Sequence, residues 1–348
     1  VAHPFRIREI AQQAGLSQAT VDRVLHERPG VRASTVAEVQ QAIVELERQR
    51  TQVRIGRRTF LLDLVMDAPG RFSSAVRQAL ESELPALRPA VIRARFHLRE
   101  DGGVEDTVKA LDDIARRGSH GVLLKAQDHP AVVAAIARLA DARIPVVTLV
   151  TDVPLSRRLA YVGTDNRAAG ATAAYLLTQW AGADLSSVLV TLSSSSFRGE
   201  EEREVGFRAA MRELAPTAPI RELAETHGLD AVMLETVADA LEADLSINAV
   251  YSIGGGNRAT VEAFAGAGRT CSAFVAHDLD ADNTRLLRGR LVSAVLHHDL
   301  SADMRRACRL VMQGHGALPG TPQTVPSQIQ VITPYNEPVV AWEPDIAG

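Results

Sequence analysis

The chain has 348 residues and a formal charge of −4, with 46% hydrophobic, 23% charged and 4% aromatic residues. That length allows two or three domains at roughly 100–200 residues each, and the balance excludes a disordered or collagen-like polymer. No apolar run reaches the roughly 18 residues of a membrane helix, and two cysteines, Cys271 and Cys308, are too few for a disulfide framework or a cysteine zinc site. Val1 to Gln12 hold no apolar signal-peptide core, so a reducing, cytoplasmic setting is the expectation. The charge is uneven. Residues 1–58 carry 10 Arg, no Lys and 6 acidic residues, a net of +4, while the remaining 290 carry a net of −8. A basic head on an acidic body suggests that the head meets a polyanion.

The first elements are helical. Ile7, Ile10, Ala11 and Ala14 mark one apolar face at helical spacing, and Gly15 suits a left-handed helix end. Ser17 is a plausible N-cap for a second helix from Gln18 to about His26, with Val21, Val24 and Leu25 turned inward. After the Pro29-Gly30 turn, Thr35 and Glu38 have capping-box spacing at the start of a third helix. Helix, tight turn, helix is the geometry that places a second helix in a DNA major groove. Gln18, Ala19, Asp22 and Arg23 lie opposite the buried face. Gln pairs bidentately with adenine and Arg with guanine, and Ala19 can touch a thymine methyl. Ser17 and Thr20 suit phosphates. Asp22 repels phosphate, so it either accepts from a cytosine amino group or orients Arg23. Residues 48–59 (RQRTQVRIGRRT) have five Arg and no periodic apolar face, and read as a basic linker in which Arg54 and its neighbours track phosphates.

From residue 60 the pattern changes. Short apolar runs at 60–66, 91–98, 121–125, 145–150, 161–165, 187–192, 249–253, 272–278, 292–298 and 329–333 alternate with amphipathic stretches. Such alternation means parallel sheets covered on both faces, and ten strands fit two sheets in two lobes better than one. The expected architecture is α/β. A small all-α helix-turn-helix headpiece (1–47) and the linker (48–59) precede a two-lobed domain with parallel sheets (60–340) and a tail (341–348).

Through IREIAQQAGLS, ATVDRVL and VRASTVAEV, residues 5–47 resemble the headpiece of the lactose-repressor (LacI/GalR) family of bacterial transcription regulators. The resemblance implies that Gln18 and Ala19 are the base-reading pair and Arg23 a groove-reading arginine. The family usually has Ser at the position of Asp22, Asn at that of His26, and a Tyr-x-Pro-Asn turn with an Ala/Leu-rich hinge helix in place of ELERQRTQVRIGRRT. Residues 60–340 resemble the type I periplasmic sugar-binding fold that this family uses as its effector domain, through IPVVTLVTD, YVGTDNRAAGATAAYLL, REVGFRAAM and FVAHDLDADNTRLLRGRLVSAVLHHD. It implies double-stranded operator DNA and a small sugar, polyol or sugar derivative as partners, and a homodimer.

Ligands of open α/β sheets bind at the C-terminal ends of strands. Those ends offer Lys125, Asp152, Asp165, Asn257, Asp278 and His298, with Arg203 early in the helix after the loop SSSSFRGEEE. Carboxylates and a forked Arg hold paired hydroxyls, and Phe72 and Phe197 are candidates for the C–H face of a sugar. By the resemblance, Arg203 takes the place of the family's ligand arginine, His298 of a frequent Gln, and Lys125 stands near an Asn. Gly254-Gly255-Gly256 could cradle an anion and, with Lys125, raises a phosphorylated or acidic sugar. His297-His298-Asp299 is not expected to bind metal, since strand neighbours point to opposite faces. No cofactor fingerprint, nucleophilic elbow or nucleophile–base pair appears. The chain therefore reads as a ligand-responsive repressor rather than an enzyme, with a sugar-binding protein that lacks regulatory DNA binding as the alternative.

Overall fold

In the computed structural model, residues 4–55, 58–87, 90–100, 102–224 and 226–338 are described, with residues 48 and 51–55 described by backbone alone. The head is three helices, α1 (Ile7–Ala14), α2 (Gln18–Leu25) and α3 (Ala33–Ile55), closed over Ile10, Ala11, Val21, Val39 and Ala42. The predicted turn chemistry holds. Gly15 is left-handed at φ 64° and ends α1, and the Ser17 hydroxyl accepts from the Thr20 amide at 3.1 Å at the start of α2. Two expectations change in α3. It begins at Ala33, so Thr35 lies inside the helix and caps nothing. It also runs on through Ile55, over most of the stretch read as linker, because Glu, Arg and Gln are good helix formers and no Gly or Pro interrupts before Gly56.

The body is two three-layer lobes. The first sheet contains β1 (Thr59–Asp67), β2 (Val91–Arg99), β3 (Gly121–Lys125), β4 (Val146–Leu149) and β5 (Ala160–Val162), ordered β2-β1-β3-β4-β5 and fully parallel. One face packs on α4 (Gly70–Glu83), the other on α5 (Val104–Arg117) and α6 (Pro130–Asp141). The second sheet runs β11-β10-β9-β8-β6-β7, from β6 (Ser187–Thr191), β7 (Ile220–Leu223), β8 (Ile247–Ser252), β9 (Ala273–His277), β10 (Ala294–His297) and β11 (Gln330–Ile332); only β11 is antiparallel. It is covered by α7 (Asn166–Ala181) and α8 (Arg198–Leu214) on one face, and by α9 (Asp230–Ala243), α10 (Asn257–Gly266) and α11 (Ala281–Arg288) on the other.

The chain passes between lobes three times. It leaves the first after β5, and returns after β10 as α12 (Leu300–Gly314), whose Met304, Ala307, Cys308 and Val311 fill the core under β1. It crosses again before β11. Hydrogen bonds tie the crossings together. The Ser327 amide donates to Gly163 O at 2.8 Å, the Ser327 hydroxyl to Asp303 at 2.5 Å, and His298 Nδ1 lies 2.5 Å from Asp303 Oδ2. Cys308 is buried and Cys271 half-buried; both are free, and burial pushes each thiol up to about 12. Among the described residues, no helix is long and apolar enough to cross a membrane.

Candidate functional site

The head presents one exposed polar surface. Ser17, Gln18, Ala19 and Arg23 on α2 are exposed, and Thr20, half-buried, shares a 2.8 Å hydrogen bond between its hydroxyl and that of Ser17. Val21 anchors the opposite face with no exposure at all. Asp22 does not orient Arg23. Its carboxylate faces Arg28 at 3.2 Å and His26 at 3.1 Å, bracing the end of α2 and leaving Arg23 unencumbered. Arg54 falls on α3, with its side chain outside the described residues.

Between the lobes lies a cleft built from the C-terminal ends of both sheets. It is lined by Phe72, Lys125, Phe197, Arg203 and Asp278 among the expected residues. Lys125 ends β3, and its ammonium donates to Asp67 O at 2.8 Å and stands 3.7 Å from the Phe197 ring centre. Burial lowers its pKa, against the pull of Glu200, Asp67 and Asp278. Arg203 is 4% exposed, and its Nε donates to Asn166 Oδ1 at 2.8 Å. It can sit there because α7 and α8 touch backbone to backbone. A Cβ on Gly170 would fall 1.9 Å from Arg203 O, and one on Gly206 would fall 2.1 Å from Arg167 O.

Both lobes end a strand in left-handed backbone at the cleft, Val150 (φ 64°) after β4 and Asp278 (φ 63°) after β9. A β-branched residue there is strained. It is held by Tyr161 and Asn166, which both donate to Val150 O. Asp278 Oδ1 is buried without a hydrogen-bond partner, and so is Nε2 of His298, 3.8 Å away. Burial costs such atoms on the order of 1–3 kcal/mol unless something else satisfies them. His277, whose Nε2 meets the Tyr251 hydroxyl at 2.8 Å, is kept neutral by burial and by Arg203 and His298.

Four expected ligand residues are not on the cleft lining: Asp152, Asp165, Asn257 and His298, the last buried behind Asp278. The Asp152 carboxylate accepts from both arms of Arg158 and from the Thr148 hydroxyl, so it braces the turn after β4. Asp165 is exposed and caps α7 through the Ala168 amide, because β5 stops at Val162 and the chain has already left the first lobe. Asn257 is buried behind the lining, donating to Asn283 at 2.7 Å. The triple glycine is accounted for without an anion. A Cβ on Gly254 would lie 2.0 Å from Ser193 N, one on Gly255 would lie 2.3 Å from Arg71 Nη2, and Gly256 is left-handed at φ 71°.

Sequence reasoning missed Arg71, Glu200, Asp280 and Asn283, which all line the cleft. Glu200, in the first turn of α8, accepts from the Ser193 amide at 2.7 Å and thereby shapes the serine loop. Asp280 caps α11 and faces Arg71 at 3.1 Å. The charges balance: Arg71, Lys125 and Arg203 against Glu200, Asp278 and Asp280. Among the described residues no group of three or more His, Cys, Asp or Glu could hold a metal.

The sequence matches two family models: the lacI family of bacterial regulatory proteins over residues 6–49, and the periplasmic binding protein domain over residues 64–313. No curated protein matches the chain. Solved structures share the fold. A glucose-galactose binding protein, GanP from Geobacillus stearothermophilus, aligns at 20% identity and TM-score 0.71, over 81% of this chain and all of its own. A Bacteroides fragilis protein assigned as a LacI transcriptional regulator aligns at 17% identity and TM-score 0.69, over 80% of this chain and 97% of its own. A solute-binding protein of a Burkholderia graminis ABC transporter, in complex with D-arabinose, aligns at 18% identity and TM-score 0.71, over 79% of this chain and 95% of its own.

Proposed function

Because the chain belongs to the lacI family of bacterial regulatory proteins, with a periplasmic-binding-protein domain as its body, we propose that it is a repressor whose hold on operator DNA is set by a neutral sugar or polyol bound between its lobes. Two copies present two headpieces to the half-sites of a pseudo-palindrome. Gln18, Ala19 and Arg23 read base edges, while Ser17, Thr20 and Arg54 meet phosphates. In the cleft, Arg203 and Asp278 hold hydroxyls, with His298 behind Asp278, and Phe72 and Phe197 cover the C–H face. The effector acts through its differential affinity for the open and closed lobes, and α3 and the residues after it carry the change to the headpiece.

The observation that carries this reading is the cleft's chemistry. Three cations meet three carboxylates, so the cleft lacks the cationic surplus that a phosphate would need. Asp278 Oδ1 and His298 Nε2 stand close together without partners, as a hydroxyl-bearing ligand requires. Lys125 and the triple glycine, the two signs that favoured an anion, already have other contacts.

The test is a thermal-shift screen of the full chain against neutral sugars, polyols, sugar acids and sugar phosphates. A ligand bound only by the folded state raises the melting temperature by mass action. The expected hit is a neutral compound whose shift disappears in Arg203→Ala and Asp278→Ala. A shift confined to phosphorylated compounds, or one that survives both substitutions, would overturn the assignment.

A further inference from the structure

We infer that Arg71 is a clasp between the lobes, closing the cleft before any effector arrives, and that Gly228 and Gly255 form the socket that admits it. The inference rests on the reading of the cleft as one that opens and closes. Arg71 is the second residue of α4, in the first lobe, at the cleft rim. Its Nη2 donates to Gly228 O at 3.1 Å and its Nε lies 3.1 Å from Asp280 Oδ2, and both partners belong to the second lobe. The pair is largely withdrawn from water, with the arginine side chain 26% exposed and the aspartate 8%.

The receiving side is rigid. Asp280 Oδ1 accepts from the Asn283 amide at 2.7 Å, so its carboxylate is fixed on α11 with the second oxygen turned to Arg71. Gly255 has φ +95°, and a Cβ there would fall 2.3 Å from Arg71 Nη2. Gly228 has φ +64°, and a Cβ there would meet Gly254 O at 2.5 Å with Arg71 Nη2 3.6 Å away. A side chain at Gly255 would displace the guanidinium, which is why the loop after β8 stays bare where Arg71 crosses.

Other contacts between the lobes have a different character. The Asp128 amide donates to Ser196 O at 3.1 Å, the Gly199 amide to the Thr151 hydroxyl at 2.9 Å, and Lys125 faces the Phe197 ring. Arg71 adds a forked, charge-assisted contact that needs no ligand. It raises the fraction of molecules already in the binding-competent geometry, and apparent affinity scales with that fraction. Loss of the clasp is expected to weaken effector binding by about tenfold, by shrinking that fraction.

Pulsed electron-paramagnetic-resonance distances on the full chain test the clasp, with one spin label on each lobe at the exposed positions Arg116→Cys and Leu245→Cys and with neither sugar nor DNA present. The closed distance should dominate in the parent chain. Arg71→Ala and Asp280→Asn should each move population to longer distances. Arg71→Ala, which also loses the bond to Gly228 O, should move more than Asp280→Asn, their combination should go no further than Arg71→Ala alone, and Arg71→Lys should keep part of the closed population. Asp280→Asn keeps the helix cap, since Asn caps as well as Asp, so it carries the test if Arg71→Ala fails to fold. Distance distributions that superimpose on the parent for both single variants would overturn the clasp. Because no effector or operator enters the measurement, that outcome would leave the repressor reading intact, and failure of the sugar screen would leave the clasp intact.

Discussion

The head and the cleft use their functional side chains in opposite ways. On α2, Gln18, Ala19 and Arg23 are exposed, and the helix stands without them because Val21 and its neighbours supply the packing. At the cleft, Arg203 and, behind the lining, His298 are withdrawn from water and also hold the lobes' own structure together, while Asp278 keeps one buried oxygen unpaired. A DNA-reading surface is recognised by what it leaves free. A ligand cleft is recognised by what it buries and fails to satisfy. The first can change its specificity at little structural expense, whereas the second binds recognition and folding into the same residues.

The largest test of that difference is Gly170→Ala. The added carbon would press on Arg203 O and drive α7 from α8. Overpacking of this kind costs about 3 kcal/mol, so denaturant titration should show the loss and the sugar-induced thermal shift should vanish with it. Stability unchanged within error would show that the helices separate freely and that Arg203 is not held by their contact. Next comes Gln18→Ala with Arg23→Ala. Each bidentate base contact carries about 1–3 kcal/mol of discrimination, so the double variant should lose at least about tenfold in operator affinity while its melting temperature stays put. A drop in melting temperature would mean that these side chains support the head, and would erase the contrast.

The smallest effect is in pH. Burial lowers the His297 pKa from 6.5 to about 4, and His277 is also pushed well below its ordinary value by burial. The folded body therefore binds fewer protons than the unfolded chain. The stability from these groups is present above about pH 6.5 and is lost as pH falls toward the folded values. Melting temperature should fall across that window, and His297→Gln should flatten part of the slope. An unchanged slope in that variant would place the titration elsewhere.

The head was legible because its signals are local. Gly15 and Ser17 define the turn, and the apolar spacing of α1 and α2 defines what faces in and what faces out. The long continuation of α3 was not, since a charged stretch without an apolar face gives no periodicity to read even where its residues favour helix. In the body, the strands that are buried on both faces announced themselves as apolar runs. β7 did not: it is an edge strand, half-exposed, with apolar residues only at Ile220 and Leu223. Strand ends located Lys125 and Asp278 correctly in the cleft. The same rule misled at Asp152 and Asp165, because a carboxylate after a strand can equally brace a turn or cap the next helix. Arg71 carried no local signal at all, since one partner lies 157 residues away and is a backbone carbonyl. Contacts made by folding two lobes together leave no mark at short range.

On the proposed function, occupancy of the cleft governs occupancy of the head. Its most direct test is selection of bound oligonucleotides from a random duplex pool by the full chain, run with and without a neutral sugar that raises its melting temperature. A pseudo-palindromic site should be enriched in one condition and lost in the other, with Asp278→Ala indifferent to the sugar. Equal enrichment in both conditions would contradict it.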